Sequence, residues 1–216
     1  MRFPDGLAAL AFVLATFASA VVPARAQTPE AVQLADQGVF RIMNIREDGL
    51  STGSGFMIGP DLVMTNHHVV GGSERLLVLR SEPPFNELLD ATVVAAQASF
   101  DMAVLRVPGL VGRRIELSPT LPMKGARVFS LGFPGLADLS HARDLEGLRR
   151  DLNYTVSTLT SGDVNRTVRE SWTDTGPVLN VIQHSAEVRH GNSGGPLLDD
   201  CGRIAGINTQ IRARES

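Results

Sequence analysis

Cysteine is almost missing from this chain: Cys201 is the only one among 216 residues. No internal disulfide can form, so packing alone must hold the fold. Cys201 sits in Asp199-Asp200-Cys201-Gly202, a polar stretch that reads as a hairpin tip, and its acidic neighbours disfavour a reactive thiolate. Long apolar runs are missing beyond the N-terminus, so no later segment is expected to span a membrane. The basic residues form no stripe with interleaved aromatics and the net charge is −3 at pH 7, which argues against a nucleic-acid partner. No His-Glu-x-x-His run occurs. Gly53-Ser54-Gly55 does not open a dinucleotide-binding loop, because Ile58 stands where the third glycine is needed. No cofactor and no metal are expected, and no internal repeat is visible.

The first feature present is a leader. Arg2 supplies a short positive start, residues 7–22 are mostly apolar, and Ala24-Arg25-Ala26 is a small-x-small cleavage site before Gln27. The apolar run is shorter than the roughly 20 residues of a comfortable bilayer span. Residues 1–26 therefore read as a secretory signal, with an uncleaved anchor as the alternative. The expected location is the periplasm or the exterior, with no membrane attachment after cleavage.

Beyond the leader, residues 29–37 read as a short helix. Short β segments punctuated by Gly, Pro and Asp follow. Strands are predicted at 39–45, 54–58, 62–65, 75–80, 91–96 and 102–107, with Gly59-Pro60-Asp61 as a turn. A second set is predicted at 127–131, 153–160, 177–184, 195–198 and 204–208. So many short strands point to an all-β fold of barrels or sandwiches. Two lobes are expected, 27–118 and 119–216, with 119–124 as the connection. Residues 136–152 depart from this pattern, with leucines near helical spacing among charges. They read either as a surface excursion or as a lid beside an active site.

Residues 191–196 read Gly-Asn-Ser-Gly-Gly-Pro. A serine hydroxyl is a poor nucleophile at neutral pH, and needs a base and a pocket that stabilises the oxyanion it creates. Glycines on both sides of Ser193 permit a sharp turn that aims the N–H groups of Gly191 and Ser193 at one point. Read alone, the motif is also compatible with a Gly-rich hairpin carrying an incidental serine. The segment Thr65-Asn66-His67-His68-Val69-Val70 follows a predicted strand, whose end can hold an imidazole firmly. Asp101-Met102-Ala103-Val104-Leu105 places a carboxylate before an apolar strand, where it can fix the tautomer of an imidazole. The chain order is His, Asp, Ser.

With Gly53-Ser54-Gly55-Phe56, Gly132-Phe133-Pro134 and Thr160-Ser161-Gly162-Asp163-Val164, these motifs span roughly residues 38–211. In them the chain resembles the trypsin-like serine peptidases, and among these the bacterial HtrA/Deg-like enzymes. The resemblance implies two Greek-key β-barrels of the chymotrypsin type with the active site in the cleft between them. It implies Ser193 as nucleophile, His68 as base, Asp101 as the residue orienting it, and Gly191 and Ser193 as the oxyanion hole. The match favours His68 over His67, and the opposite facing of neighbouring strand residues would keep both from addressing Ser193. Thr209 is implied to mark the strand that pairs with substrate backbone. Glu187 is expected near the pocket floor, where it would favour a basic side chain, or else solvated or paired with Arg189. Asn192 replaces the aspartate of animal trypsins and offers no charge to a new N-terminus. After Asn208-Thr209 only seven residues are present, so the second barrel is expected to be truncated and a PDZ domain is not expected.

The leading expectation is a serine endopeptidase acting on polypeptides. The competing classes are a catalytically silent domain of the same fold that binds peptides or proteins, and a zinc hydrolase built from His67, His68 and His184.

Overall fold

The computed structural model describes residues 29–80, 87–134, 156–171 and 176–209. The predicted leader and the leucine-spaced segment at 136–152 lie outside the described residues.

The first lobe is a closed antiparallel barrel. Its strands are β1 (Val39–Arg46), β2 (Gly49–Gly59), β3 (Leu62–Thr65), β4 (Arg75–Arg80), β5 (Glu87–Gln97) and β6 (Met102–Arg106). Around the barrel they run β1-β2-β3-β6-β5-β4. Strands β1, β2 and β3 are apolar on both faces because their alternating side chains serve two cores. Phe40, Ile42, Met57 and Val63 fill the barrel with Val78, Leu105 and Val107. Val39 and Phe56 point the other way, with Met64 packed beside them. The register Val39↔Phe56↔Met64 puts these three on one face.

That outward face packs against the second lobe. Here β7 (Arg127–Gly132), β8 (Thr158–Ser171), β9 (Val178–His184), β10 (Pro196–Leu198) and β11 (Ile204–Ile207) form a curled antiparallel sheet in the order β11-β10-β7-β8-β9. Phe129, Leu131, Phe133, Leu198 and Ile204 complete the shared core. Helix α1 (Glu30–Asp36) covers one end of it with Val32 and Ala35, three residues apart and so on one helical face. Pro29 at its start and Glu30 in its first turn suit a helix N-terminus.

Among the described residues the second sheet does not close, and β9 and β11 are its edges. This agrees with the expectation of an incomplete second barrel. Strand β8 departs from the sequence reading of 153–160 and runs to Ser171. Its first part pairs with β7 and its second with β9, and the β9 pairing shifts register between Val164 and Arg166, just after it begins. The bend there curls the sheet.

Candidate active site

Strand β3 ends at Thr65, and the next residues turn into α2 (His67–Val70), a single helical turn. This corrects the expectation of extended backbone at the two histidines. They diverge because successive helical residues point about 100° apart, which leaves His67 half-buried and His68 exposed. Val69 and Val70 anchor the turn in the barrel core. Asn44, buried on β1, donates from Nδ2 to Val69 O at 2.9 Å and to Gly71 O at 3.0 Å.

Asp101 follows a 3-10 turn, Ala98–Phe100, and takes a left-handed φ of 50° that aspartate tolerates better than most residues. Its Oδ1 accepts the His68 main-chain N–H at 2.9 Å, and its Oδ2 lies 2.8 Å from His68 Nδ1. The Thr209 hydroxyl donates to the same Oδ2 at 3.1 Å. Asn66 donates to the Asp101 carbonyl at 2.9 Å, tying the two loops together. Partial burial pushes the Asp101 carboxyl up. The His68 side-chain and main-chain bonds, the imidazole charge and the Thr209 hydroxyl together outweigh it and hold the carboxyl below its usual range. In the neutral tautomer that donates from Nδ1 to an ionised Asp101, the His68 lone pair lies on Nε2.

Ser193 is 6% exposed. Backbone contacts bring it to the histidine segment. Its carbonyl accepts the Ser54 N–H at 2.8 Å, and the Gly194 N–H donates to Asn208 O at 2.8 Å. A methyl on Gly194 would lie 2.1 Å from Ser54 O, 2.2 Å from Thr65 Oγ1 and 3.1 Å from Asn66 N, so only glycine lets the chains approach this closely. Gly191 has φ +95°, and a methyl there would meet Phe133 O at 2.4 Å. Among the described residues no hydrogen bond joins the Ser193 hydroxyl to His68, whose ring bonds to Asp101. Among the described residues neither the Gly191 N–H nor the Ser193 N–H has a main-chain acceptor.

These features lie along an ordered series of motifs, and the sequence profile of the trypsin-like peptidase domain matches residues 53–207. The chain belongs to the trypsin-like peptidase family. Among family members it is similar to the serine protease Rv3671c of Mycobacterium tuberculosis strain H37Rv, with 36% identity over 158 residues. That match covers 72% of this chain and 35% of the relative, so the chain spans about a third of that protein's length. The serine endoprotease DegS of Escherichia coli strain K12 is 28% identical over 196 residues, covering 85% of this chain and 50% of DegS. The crystal structure of the Rv3671c protease in its active form superposes with a TM-score of 0.68 at 29% identity, covering 82% of this chain and 71% of that one. The two-lobed peptidase fold is thus shared over most of both chains.

Between the edge strands of the second lobe lies a cleft of about 790 Å³ that reaches Asp101 and Thr209. Its walls include Ile182, His184, Arg189, Leu197 and Ile207. Glu187, expected near a pocket floor, is not among its described lining residues. It is an exposed side chain whose carboxylate pairs with Arg189 at 2.6 Å, and its charge is spent on that neighbour. His184 does line the cleft, and its Nδ1 is buried without a partner. Burial pushes the His184 imidazole down, and the nearby Ala186 main chain offsets this only in part.

His67, His68 and His184 form no convergent ligand set among the described residues. The group close enough to share an ion is instead Asp199, Asp200 and Cys201 at the exposed turn between β10 and β11. Sequence reasoning missed three contributors: Asn66, the Thr209 bond to Asp101, and Ser54. Their signals are long-range hydrogen bonds with no local pattern.

Proposed function

We propose that the chain is a serine endopeptidase. The carrying observation is the Asp101 carboxylate, which accepts both His68 N–H groups and so fixes the tautomer a base requires. Ser193 Oγ bonds to the scissile carbonyl carbon as its proton passes to His68 Nε2. The carbonyl oxygen becomes an oxyanion received by the Gly191 and Ser193 N–H groups. Collapse breaks the C–N bond, and His68 returns the proton to the leaving amine. Water then repeats the sequence on the acyl-enzyme. The substrate is a polypeptide, and the main chain of Thr209, beyond the end of β11, is suited to pair with its extended backbone. Apolar walls of the cleft, such as Ile182 and Ile207, favour apolar side chains there.

The supporting frame is two lobes, 27–118 and 119–216, with the barrel ending at Arg106 and the second sheet beginning at Arg127. We propose export through the leader at 1–26 to the periplasm or beyond. N-terminal sequencing of the mature chain should begin at Gln27; an intact leader overturns this.

A fluorophosphonate probe should label the wild type and leave Ser193→Ala unlabelled, and the wild type should cleave casein. The second reading, a silent binding domain, draws on the open second sheet and the missing Ser193–His68 bond. It predicts no labelling of either protein together with saturable peptide binding.

A further inference from the structure

Ser54 is a fully buried serine, at 0% exposure, between two glycines on β2. Every polar atom it has is engaged. Its hydroxyl donates to Gly191 O at 2.7 Å and accepts the Phe133 N–H at 2.9 Å. Its own N–H donates to Ser193 O at 2.8 Å. Its carbonyl accepts the Thr65 hydroxyl at 2.7 Å. One residue of the first lobe thus touches the loop bearing the nucleophile, the residue that follows β7 in the second lobe, and the last residue of the strand that leads to His68.

The peptide planes explain what this does. The Gly191–Asn192 plane is held on one side by Ser54 Oγ and on the other by Asn192 N donating to Arg189 O at 3.0 Å. The Ser193–Gly194 plane is held by Ser54 N and by Asn208 O. The Asn192–Ser193 plane, which carries the Ser193 N–H, is set by Gly195 N donating to Asn192 O at 2.9 Å. Ser54 therefore fixes the planes flanking the one that presents the Ser193 donor, and it fixes the C-terminal side of Gly191. Preorganised donors are effective because they need not reorient as charge develops.

We infer that Ser54 is a positioning residue for the oxyanion site, holding the 191–194 loop in register with the histidine segment across the lobe boundary. The inference rests on the peptidase reading above and adds a residue that touches neither substrate nor base.

The test uses Ser54→Ala, which keeps the main-chain bonds and removes both hydroxyl bonds. With a peptide substrate, kcat should fall about 10- to 100-fold, in the range where small misplacement of reacting groups acts, while KM stays within about twofold. A peptidyl aldehyde, bound through its oxyanion, should weaken in proportion to kcat, whereas an uncleaved peptide should not. Ser54→Cys fills similar space with a weaker donor and should fall between; it decides the matter if the alanine variant does not fold. Equal weakening of aldehyde and plain peptide, or kcat within about twofold of wild type, overturns the inference. Amide exchange at Phe133 gives a readout independent of turnover: slow in wild type, fast in Ser54→Ala. If the wild type resists the fluorophosphonate but the Phe133 difference is seen, the peptidase reading fails and the positioning stands. If Phe133 exchanges alike in both proteins, the positioning fails whatever the turnover.

Discussion

Asp101 and His184 are half-buried titratable groups that line one cleft, and their surroundings favour the anion at Asp101 and the neutral ring at His184. Asp101 is stabilised as an anion by His68 and Thr209, so its carboxyl lies below its ordinary value of 3.8. A carboxylate depressed on folding contributes stability above its unfolded value, and that contribution is lost as pH falls through the folded value. Asp101→Asn should lower kcat by about 10⁴-fold, because the amide can hold His68 in the wrong tautomer. Its thermal midpoint should lie below wild type at pH 7, with the gap closing under acid conditions below pH 3.8. His184 has its imidazole pushed below 6.5 by burial. The unfolded chain then binds this proton more readily, so stability falls as pH drops from 6.5 toward the folded value. His184→Gln should flatten that part of the acid limb in thermal melts. An unchanged limb would mean that burial of this ring carries no linkage.

At the scale of elements, β1 to β4 and the turn at α2 set where His68 stands. Asn44 holds the end of α2 from beneath through two main-chain carbonyls. Asn44→Ala should cost about 1–3 kcal/mol by leaving buried acceptors unpaired, measured by urea unfolding. A fall in kcat should accompany it, because α2 carries His68, the proposed base. Much of this architecture was legible beforehand: 62–65 and 75–80 were read with the bounds the structure gives. Alternating apolar residues between turn residues signal such strands locally. Strand β8 was legible only in part. Ser161, Gly162 and Asp163 look like a turn, and the strand beyond them is polar and mostly exposed, so no period-two pattern marks it. Gly162 serves close approach instead: a methyl there would lie 2.0 Å from Ala186 N. The site divides in the same way. Ser193, Asp101 and the histidine pair stand inside short motifs that can be read. The Thr209 bond joins residues 108 apart in sequence, and the Ser54 bond to Gly191 joins residues 137 apart. Such pairings are created by topology and leave no local trace.

For the whole molecule, the decisive asymmetry among the described residues is between a closed barrel and a sheet that does not close. The barrel has its own core of a dozen buried residues. Among the described residues, the cluster formed by the second sheet is Val128, Val164 and Leu197, with Ala126 and Ile182 packed against it. At the β11 edge Ile204 is paired by the connecting segment, its carbonyl accepting the Ser118 N–H and its N–H donating to Glu116 O, both at 2.8 Å. The second sheet therefore leans on the shared core, to which β1 and β2 lend Val39 and Phe56. Phe56 is fully buried, and its replacement by alanine should cost about 3–5 kcal/mol. The loss belongs to the shared core, so its effect should be uneven. In Phe56→Ala, amide exchange should accelerate in β7 and β10, while β4 and β5, on the far side of the closed barrel, keep more of their protection. Labelling by the fluorophosphonate should fall with β10, because the strand begins three residues after Ser193. If β4 and β5 lose protection to the same degree, the two lobes open as one cooperative unit, and the barrel is no more self-sufficient than the sheet it supports.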